Sequence, residues 1–172
     1  GIRLGKLTKN IPKPLIKIGS MPLIEHQIEL LSGNRIRNIW ILSGYLGEKI
    51  RDYIDNEEKW RIRIRHVIET RPLGTAGAIK QLEGRLNEDF LVFSGDVMLD
   101  MDLKRFIKFH KKNENIIATI VVHPNDHPLD SDLVEVDENY KVTSFLIRSK
   151  KTQPKNLIFR NLVNAGVFMF TP

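Results

Sequence analysis

The apolar positions of this chain fall into short runs that alternate between two spacings. Leu23, Ile24, Ile28 and Leu31 recur at helical intervals, and Pro22, whose fixed backbone suits a first helical position, opens a helix through Leu31. Ile39, Trp40, Ile41 and Leu42 form a nearly continuous run, the pattern of a strand over Asn38–Ser43 covered on both faces, and Gly44 ends it. A short helix over 46–54, a strand over 62–68, a helix over 75–82 with Thr75 as its N-cap, and a buried strand over Phe90–Phe93 continue the rhythm. Asp102 then caps a helix whose Leu103, Phe106, Ile107 and His110 face inward, and 116–122 returns as a strand.

Strands alternating with helices predict βαβ units, hence an α/β protein with a Rossmann-like, doubly wound and mostly parallel sheet. After residue 123 the pattern changes. A loop rich in Pro, Asp and His leads into short strands at Leu133–Val136, Val142–Leu146 and 167–170 with no helices between them, a β-rich portion appended to the doubly wound half. At 172 residues a single domain can bury about two-thirds of its unfolded surface, so one domain over 1–172 is expected.

Composition narrows the function. No apolar run approaches the ~18 residues that span a bilayer, so no membrane insertion is expected. With no cysteine, the chain has no disulfide, thiolate metal site or cysteine nucleophile, which is compatible with a reducing, cytoplasmic setting. The net charge of +6 raises the question of nucleic acid. Its distribution argues against it: Lys104, Arg105, Lys108, Lys111 and Lys112 lie along one helix, and Arg61, Arg63 and Arg65 alternate along a strand, both as solvated faces without interleaved aromatic platforms.

Three segments carry candidate chemistry. The first is the opening, Gly1-Ile2-Arg3-Leu4, Leu7-Thr8, Pro12-Lys13-Pro14-Leu15 and Met21-Pro22-Leu23-Ile24. Glycine lets backbone N–H groups approach phosphate oxygens, and Arg3 and Lys13 supply two cations for one polyanion, with Pro12 and Pro14 holding Lys13 in an extended segment. The second is Glu69-Thr70-Arg71-Pro72-Leu73-Gly74-Thr75-Ala76-Gly77, where small residues at a strand-to-helix junction let a flat base lie against backbone. Glu69 offers acceptors only, matching the two adjacent donors of guanine; alternatively it pairs with Arg71 on the surface. The third is Phe93-Ser94-Gly95-Asp96, a carboxylate at the C-terminal end of a buried strand, where α/β sheets bind ligands and where Mg²⁺ could bridge phosphate oxygens. The run from His123 to Asp132 has the composition of a metal cluster, but Pro124 and Pro128 make it a turn with solvated side chains.

These motifs resemble the sugar-phosphate nucleotidyltransferase family, whose signature runs Gly-Gly-x-Gly-Thr-Arg-Leu, Leu-Thr, Pro-Lys-Pro-Leu and Pro-x-x-Glu. Residues 1 to 26 follow it from the third glycine, with Ile2 in place of Thr or Ser. The resemblance implies a nucleotide-binding part over 1–123 and a sugar-binding part over 124–172, with the fold's first strand and C-terminal part lying outside this sequence. It implies that Gly1, Arg3 and Lys13 hold the triphosphate, that Arg3, Lys13 and Asp96 are catalytic, and that Asp96 binds Mg²⁺. Glu69, Pro72, Gly74 and Thr75 would then contact the nucleotide. Ser94 stands where the family has Asn. Asn164-Ala165-Gly166 resembles the acceptor-sugar motif ahead of the last strand; Asp132 would contact the sugar, and Lys150 or Lys151 its phosphate.

The implied substrates are an NTP, GTP by the Glu69 argument, and a sugar 1-phosphate. The overall form is similar to guanylyltransferases acting on mannose 1-phosphate or D-glycero-D-manno-heptose 1-phosphate. Such a resemblance leaves room for a homo-oligomer and for a fused or partner sugar phosphatase, and it ties the chain to cell-surface polysaccharide or lipopolysaccharide synthesis. A nucleotide-sugar-sensing subunit without turnover is the competing expectation.

Overall fold

The computed structural model describes residues 8–55, 60–113, 115–128, 131–146 and 159–172. Its contacts divide the chain into two compact units, Gly1–Glu88 with Gly95–Lys111, and Asp89–Ser94 with Lys112–Pro172. This division differs from the functional one drawn at residue 123 because the strand before that point pairs with the last strand of the chain.

In the first unit a two-stranded hairpin, β1 (Lys17–Ile18) and β2 (Met21–Pro22), turns at Gly19, whose positive φ of 65° glycine adopts without strain. Pro22 then N-caps helix α1, Leu23–Gly33, as its place in the sequence predicts. The helix stops at Asn34, whose side-chain amide donates to Leu30 O at 2.8 Å, and Arg35 follows in the left-handed region. Strand β3 (Asn38–Ser43), helix α2 (Gly47–Asp55) and strand β4 (Arg63–Ile68) form a βαβ unit, with β3 and β4 parallel from Asn38↔Arg63 to Ser43↔Ile68. Ile24 and Ile28 of α1 meet Ile50 and Ile54 of α2 in the core, against Ile39 and Ile41 of β3 and Ile64 of β4.

The other side of β3 departs from the two-faced apolar burial its sequence predicts. Trp40 lies under the guanidinium groups of Arg65 and Arg85, 4.9 and 5.3 Å from its ring centroid. The aromatic comes from one strand and Arg65 from its register partner, which is why neither segment alone discloses the stack.

Helix α3 spans Gly74–Lys80, and Leu73, not Thr75, occupies its N-cap, with no side-chain cap. Thr75 falls inside the first turn because the helix begins at Gly74, whose φ of 69° makes the chain reversal there. Helix α4 (Leu103–Lys112) starts as read, with Arg105 N donating to Asp102 Oδ1 at 2.9 Å. Leu103, Phe106 and His110 are buried and Ile107 only half so, while its five basic residues stay exposed.

The second unit is one sheet of β5 (Phe90–Phe93), β6 (Ala118–His123), β7 (Leu133–Val136), β8 (Val142–Leu146) and β9 (Val163–Phe170). β9 is central. Both β5 and β6 pair antiparallel with it, so they run parallel to each other with β9 inserted between them. Parallel hydrogen bonding is thus confined, among the described residues, to β3 and β4, and the α/β architecture joins that pair to an antiparallel sheet. β9 is longer than the predicted 167–170 because Asn164, Ala165 and Gly166 stay within it as a bulge.

Candidate functional site

Lys13 is not in the extended segment expected between its prolines: it heads a short 3-10 turn, Lys13–Leu15, because Pro12 at φ −65° and ψ 143° caps it and Leu15 N donates to Pro12 O at 2.8 Å. From that turn its ammonium reaches the Asp96 carboxylate, 83 residues away, and donates to Oδ2. Both side chains stay partly open to solvent, at 35% and 45% exposure, so the pair is available to a ligand.

The loop bearing Asp96 is held from two further directions. A Cβ on Gly95 would stand 3.3 Å from Pro14 Cγ, so the loop packs close to the proline that follows Lys13. On the far side, Gln27 of α1, itself buried, donates from Nε2 to Val97 O at 2.7 Å. Sequence reasoning missed Gln27: it reads as one more position on an amphipathic helix, and nothing in the spacing shows that it meets a carbonyl 70 residues on.

Glu69 leaves β4 with its N–H donating to Ser43 O at 2.6 Å, and its carboxylate Oε2 accepts the Leu73 N–H at 3.4 Å. It therefore braces the turn into α3, and among the described residues no ion pair links it to Arg71. Gly44 lies beside the same carboxylate, with a Cβ there 3.7 Å from Oε2. Pro72, Gly74 and Thr75 are all exposed on this turn. Close packing of α3 falls instead on Gly77, where a Cβ would meet Leu73 Cβ at 2.9 Å.

Below Glu69, Ser43 Oγ and His66 Nε2 form a hydrogen-bonded pair at 2.7 Å, and His66 Nδ1 is buried with no partner. Burial first, and the nearby Arg51 charge second, hold the His66 pKa below its ordinary 6.5. Two other residues that the sequence did not single out, Tyr45 and Lys49, donate to Lys9 O at 3.0 Å and Asn10 O at 2.7 Å.

In the second unit the sheet brings Asp132 and Asn164 together. Asn164 N donates to Asp132 O at 3.1 Å, and Asn164 Oδ1 accepts the Gly166 N–H at 2.8 Å, while the side-chain amide nitrogen remains a donor by chemistry. Gly166, at φ 72°, forms the bulge, and its carbonyl accepts Ser94 N at 2.8 Å. At this bulge one side of β9 changes partner, from β7 beside Asp132 to β5 ending at Ser94, two residues before Asp96.

The loop after β6 uses its polar groups on itself. Asn125 Nδ2 donates to Ser131 Oγ at 2.9 Å, Asn161 Nδ2 to Asn125 O at 2.6 Å, and His127 sits on Asp126. Among the described residues no group of three or more His, Asp or Glu could hold a metal ion. Gly1, Arg3, Lys150 and Lys151 lie outside the described residues. No helix among the described residues is long and apolar enough to cross a membrane.

Comparison with known proteins places this geometry. The chain is 33% identical over 179 residues to a mannose-1-phosphate guanyltransferase of Yarrowia lipolytica, covering 100% of this chain and 47% of that protein. It is 32% identical over 168 residues to the bifunctional protein GlmU of Methanococcus vannielii, covering 98% of this chain and 38% of that one. The chain thus spans less than half the length of these curated relatives. Among solved structures, HddC of Yersinia pseudotuberculosis superposes with a TM-score of 0.77 at 23% identity, covering 94% of this chain and 68% of that one. A glucose-1-phosphate thymidylyltransferase of Bacillus anthracis, solved with a sucrose, reaches 0.82 at 19%, covering 99% and 67%. At such identities the two structures speak for the fold. Residues 1–172 match, end to end, the family described as Nucleotidyl transferase, and the chain belongs to it.

Proposed function

We propose that the protein transfers a nucleoside monophosphate from an NTP to a sugar 1-phosphate, releasing pyrophosphate and forming a nucleotide-diphospho-sugar. The observation that carries the reading is the meeting of Lys13 with Asp96 in a solvent-open pair, inside a chain of this family. A phosphate oxygen of the sugar 1-phosphate attacks the α-phosphorus in line, and the bond to the β-phosphate's bridging oxygen breaks, pyrophosphate leaving with its electron pair. No protein nucleophile is needed. Lys13, together with Arg3, neutralises charge that grows on the α-phosphate, and the Pro12–Pro14 frame orients the ammonium.

The donor set suits Mg²⁺. Asp96 is a single carboxylate with one oxygen engaged by Lys13, and Mg²⁺ is commonly bound by one or two carboxylates plus substrate phosphates, not by an all-protein cage. Bound there, the ion would offset phosphate charge.

GTP is the donor this reading favours. Glu69 presents only acceptors, its position is braced by Leu73 N–H, and guanine offers N1–H and the exocyclic amine on one edge. Pro72, Gly74 and Thr75 would lie along the base and ribose, and Asp132, Lys150 and the Asn164 amide would meet the acceptor, a mannose- or manno-heptose-type sugar phosphate. Support for that sugar class is the sequence likeness to mannose-1-phosphate guanyltransferases. A cytoplasmic place in cell-surface polysaccharide synthesis goes with this reading.

The test is pyrophosphate release by the full-length protein with each of the four common NTPs and with mannose, heptose and glucose 1-phosphates. Release with GTP and a manno-configured sugar phosphate is expected. Equal use of UTP would remove the Glu69 argument, and nucleotide binding without any release would favour the sensing subunit.

A further inference from the structure

The segment just ahead of Lys13 is gripped from outside. Lys9 O and Asn10 O, two successive carbonyls, accept hydrogen bonds from Tyr45 Oη at 3.0 Å and Lys49 Nζ at 2.7 Å. The donors stand four residues apart, Tyr45 in the turn after β3 and Lys49 in the first turn of α2. Exposed side chains that reach a carbonyl singly are common and worth little; two from neighbouring positions on adjacent carbonyls fix both the position and the direction of the segment they hold.

That turn is itself rigid. Leu46 is locked in the left-handed region at φ 58°, and Gly47 N donates to Gly44 O at 3.0 Å. At Gly47 there is no room for a Cβ, which would come within 2.6 Å of Ser43 Oγ and 2.9 Å of Ile68 Cγ2. At its near end Ser43 O accepts the Glu69 N–H at 2.6 Å. At its far end only Ile11 and the buried Pro12 separate the gripped carbonyls from Lys13, and the turn at Lys13–Leu15 fixes the other side.

We infer that Tyr45 and Lys49 are positioning residues for the triphosphate site: by holding Lys9 and Asn10 they set where the Lys13 ammonium sits, and through the Ser43–Glu69 backbone bond the same turn ties that cradle to the base side at Glu69. The inference rests on the nucleotidyl-transfer reading for its ligand, but its mechanical half stands apart from it. Neither side chain needs to touch the nucleotide. Without the grip, the Lys13 backbone is held only by Pro12 and the turn that Pro12 closes with Leu15.

The experiment uses the full-length protein with Tyr45→Phe, Lys49→Met and the double variant. Three quantities are read: amide exchange at Leu15 and Ile16, calorimetric affinity for Mg-GTP beside GMP, and thermal stability. In the double variant, exchange at Leu15 and Ile16 should rise, and affinity for GTP should fall by about 10- to 100-fold, as weakening one charge-assisted hydrogen bond to a phosphate would give. Affinity for GMP, which lacks the outer phosphates, should hold level, and so should the melting temperature. Equal loss of GTP and GMP binding, or unchanged exchange with unchanged GTP binding, overturns the inference. If the unaltered protein binds no NTP, the proposed function fails, and exchange at Leu15 and Ile16 alone then decides whether the grip exists.

Discussion

Replacing Lys13 with Met separates two roles that one contact could have. The Lys13–Asp96 pair is exposed by 35% and 45%, so water screens it, and such pairs contribute about 0.2–1 kcal/mol to stability. For a chain of this length that is a shift of at most about 4 °C in melting temperature. The methionine keeps the aliphatic stem between Pro12 and Pro14, so packing is little disturbed. Turnover should respond on another scale. Losing one preorganised cation or donor at a developing phosphate charge costs about 2.7–4 kcal/mol, or roughly 10²–10³ in kcat. Pyrophosphate release under saturating NTP and sugar phosphate gives kcat, and differential scanning calorimetry gives the melting temperature. Lys13→Arg, which keeps the charge but not the point-like ammonium, should recover part of the rate. The reasoning is refuted if Lys13→Met keeps kcat within a few-fold of the parent, or if the melting temperature falls far enough to show that the pair is chiefly a structural brace.

Other perturbations probe the frame around that pair. Gly47→Ala places a methyl against Ser43 Oγ and Ile68; overpacking of about 1–3 kcal/mol, offset by about 1 kcal/mol of helix propensity, should lower the melting temperature by up to about 8 °C, and a rise would contradict the packing. Glu69→Gln keeps an acceptor for the Leu73 N–H, so stability should hold while the preference for GTP over UTP in competition assays drops at least about tenfold; an unchanged preference would take Glu69 out of base selection. His66, with its pKa held below 6.5, stays neutral in the folded chain while the unfolded chain takes up a proton. Its contribution to stability is therefore complete above 6.5 and declines as pH falls from there toward the folded value. His66→Gln should flatten that part of the curve in thermal melts between about pH 7.5 and about pH 5, and parallel curves for the two proteins would rule His66 out.

Strands β3, β5, β7 and β8 lie on the residues that their apolar runs predict, because each run is short and closed by residues that favour turns. Strand β9 was half hidden. Its Asn164-Ala165-Gly166 segment looks like a loop by composition, and only the sheet on both sides makes it a bulged strand. Local chemistry also misplaces the cap of α3: Thr75 has the right side chain, but Gly74 can take the left-handed turn and starts the helix first. For the site, the motifs single out Lys13, Glu69, Asp96 and Asn164 by residue type. Their partners are a different matter. That Lys13 meets Asp96, that Gln27 holds Val97, and that Tyr45 and Lys49 grip Lys9 and Asn10 all depend on chain crossings of 36 to 83 residues, which no local pattern encodes.

The central place of β9 bears on how the protein is made. β5 emerges from the ribosome some eighty residues before Phe170, its register partner, and β6 about fifty before it; neither has any other strand to pair with among the described residues. The βαβ unit of β3 and β4, by contrast, has its hydrogen-bonding partners within about 25 residues of each other. The pairing of Phe90–Phe93 and Ala118–His123 with β9 thus waits until Val163–Phe170 has been made, an interval in which nascent chains are exposed to misassociation. A stalled or prematurely ended chain lacking Val163–Phe170 would lose the pairing of both strands at once, leaving material for chaperones or proteases.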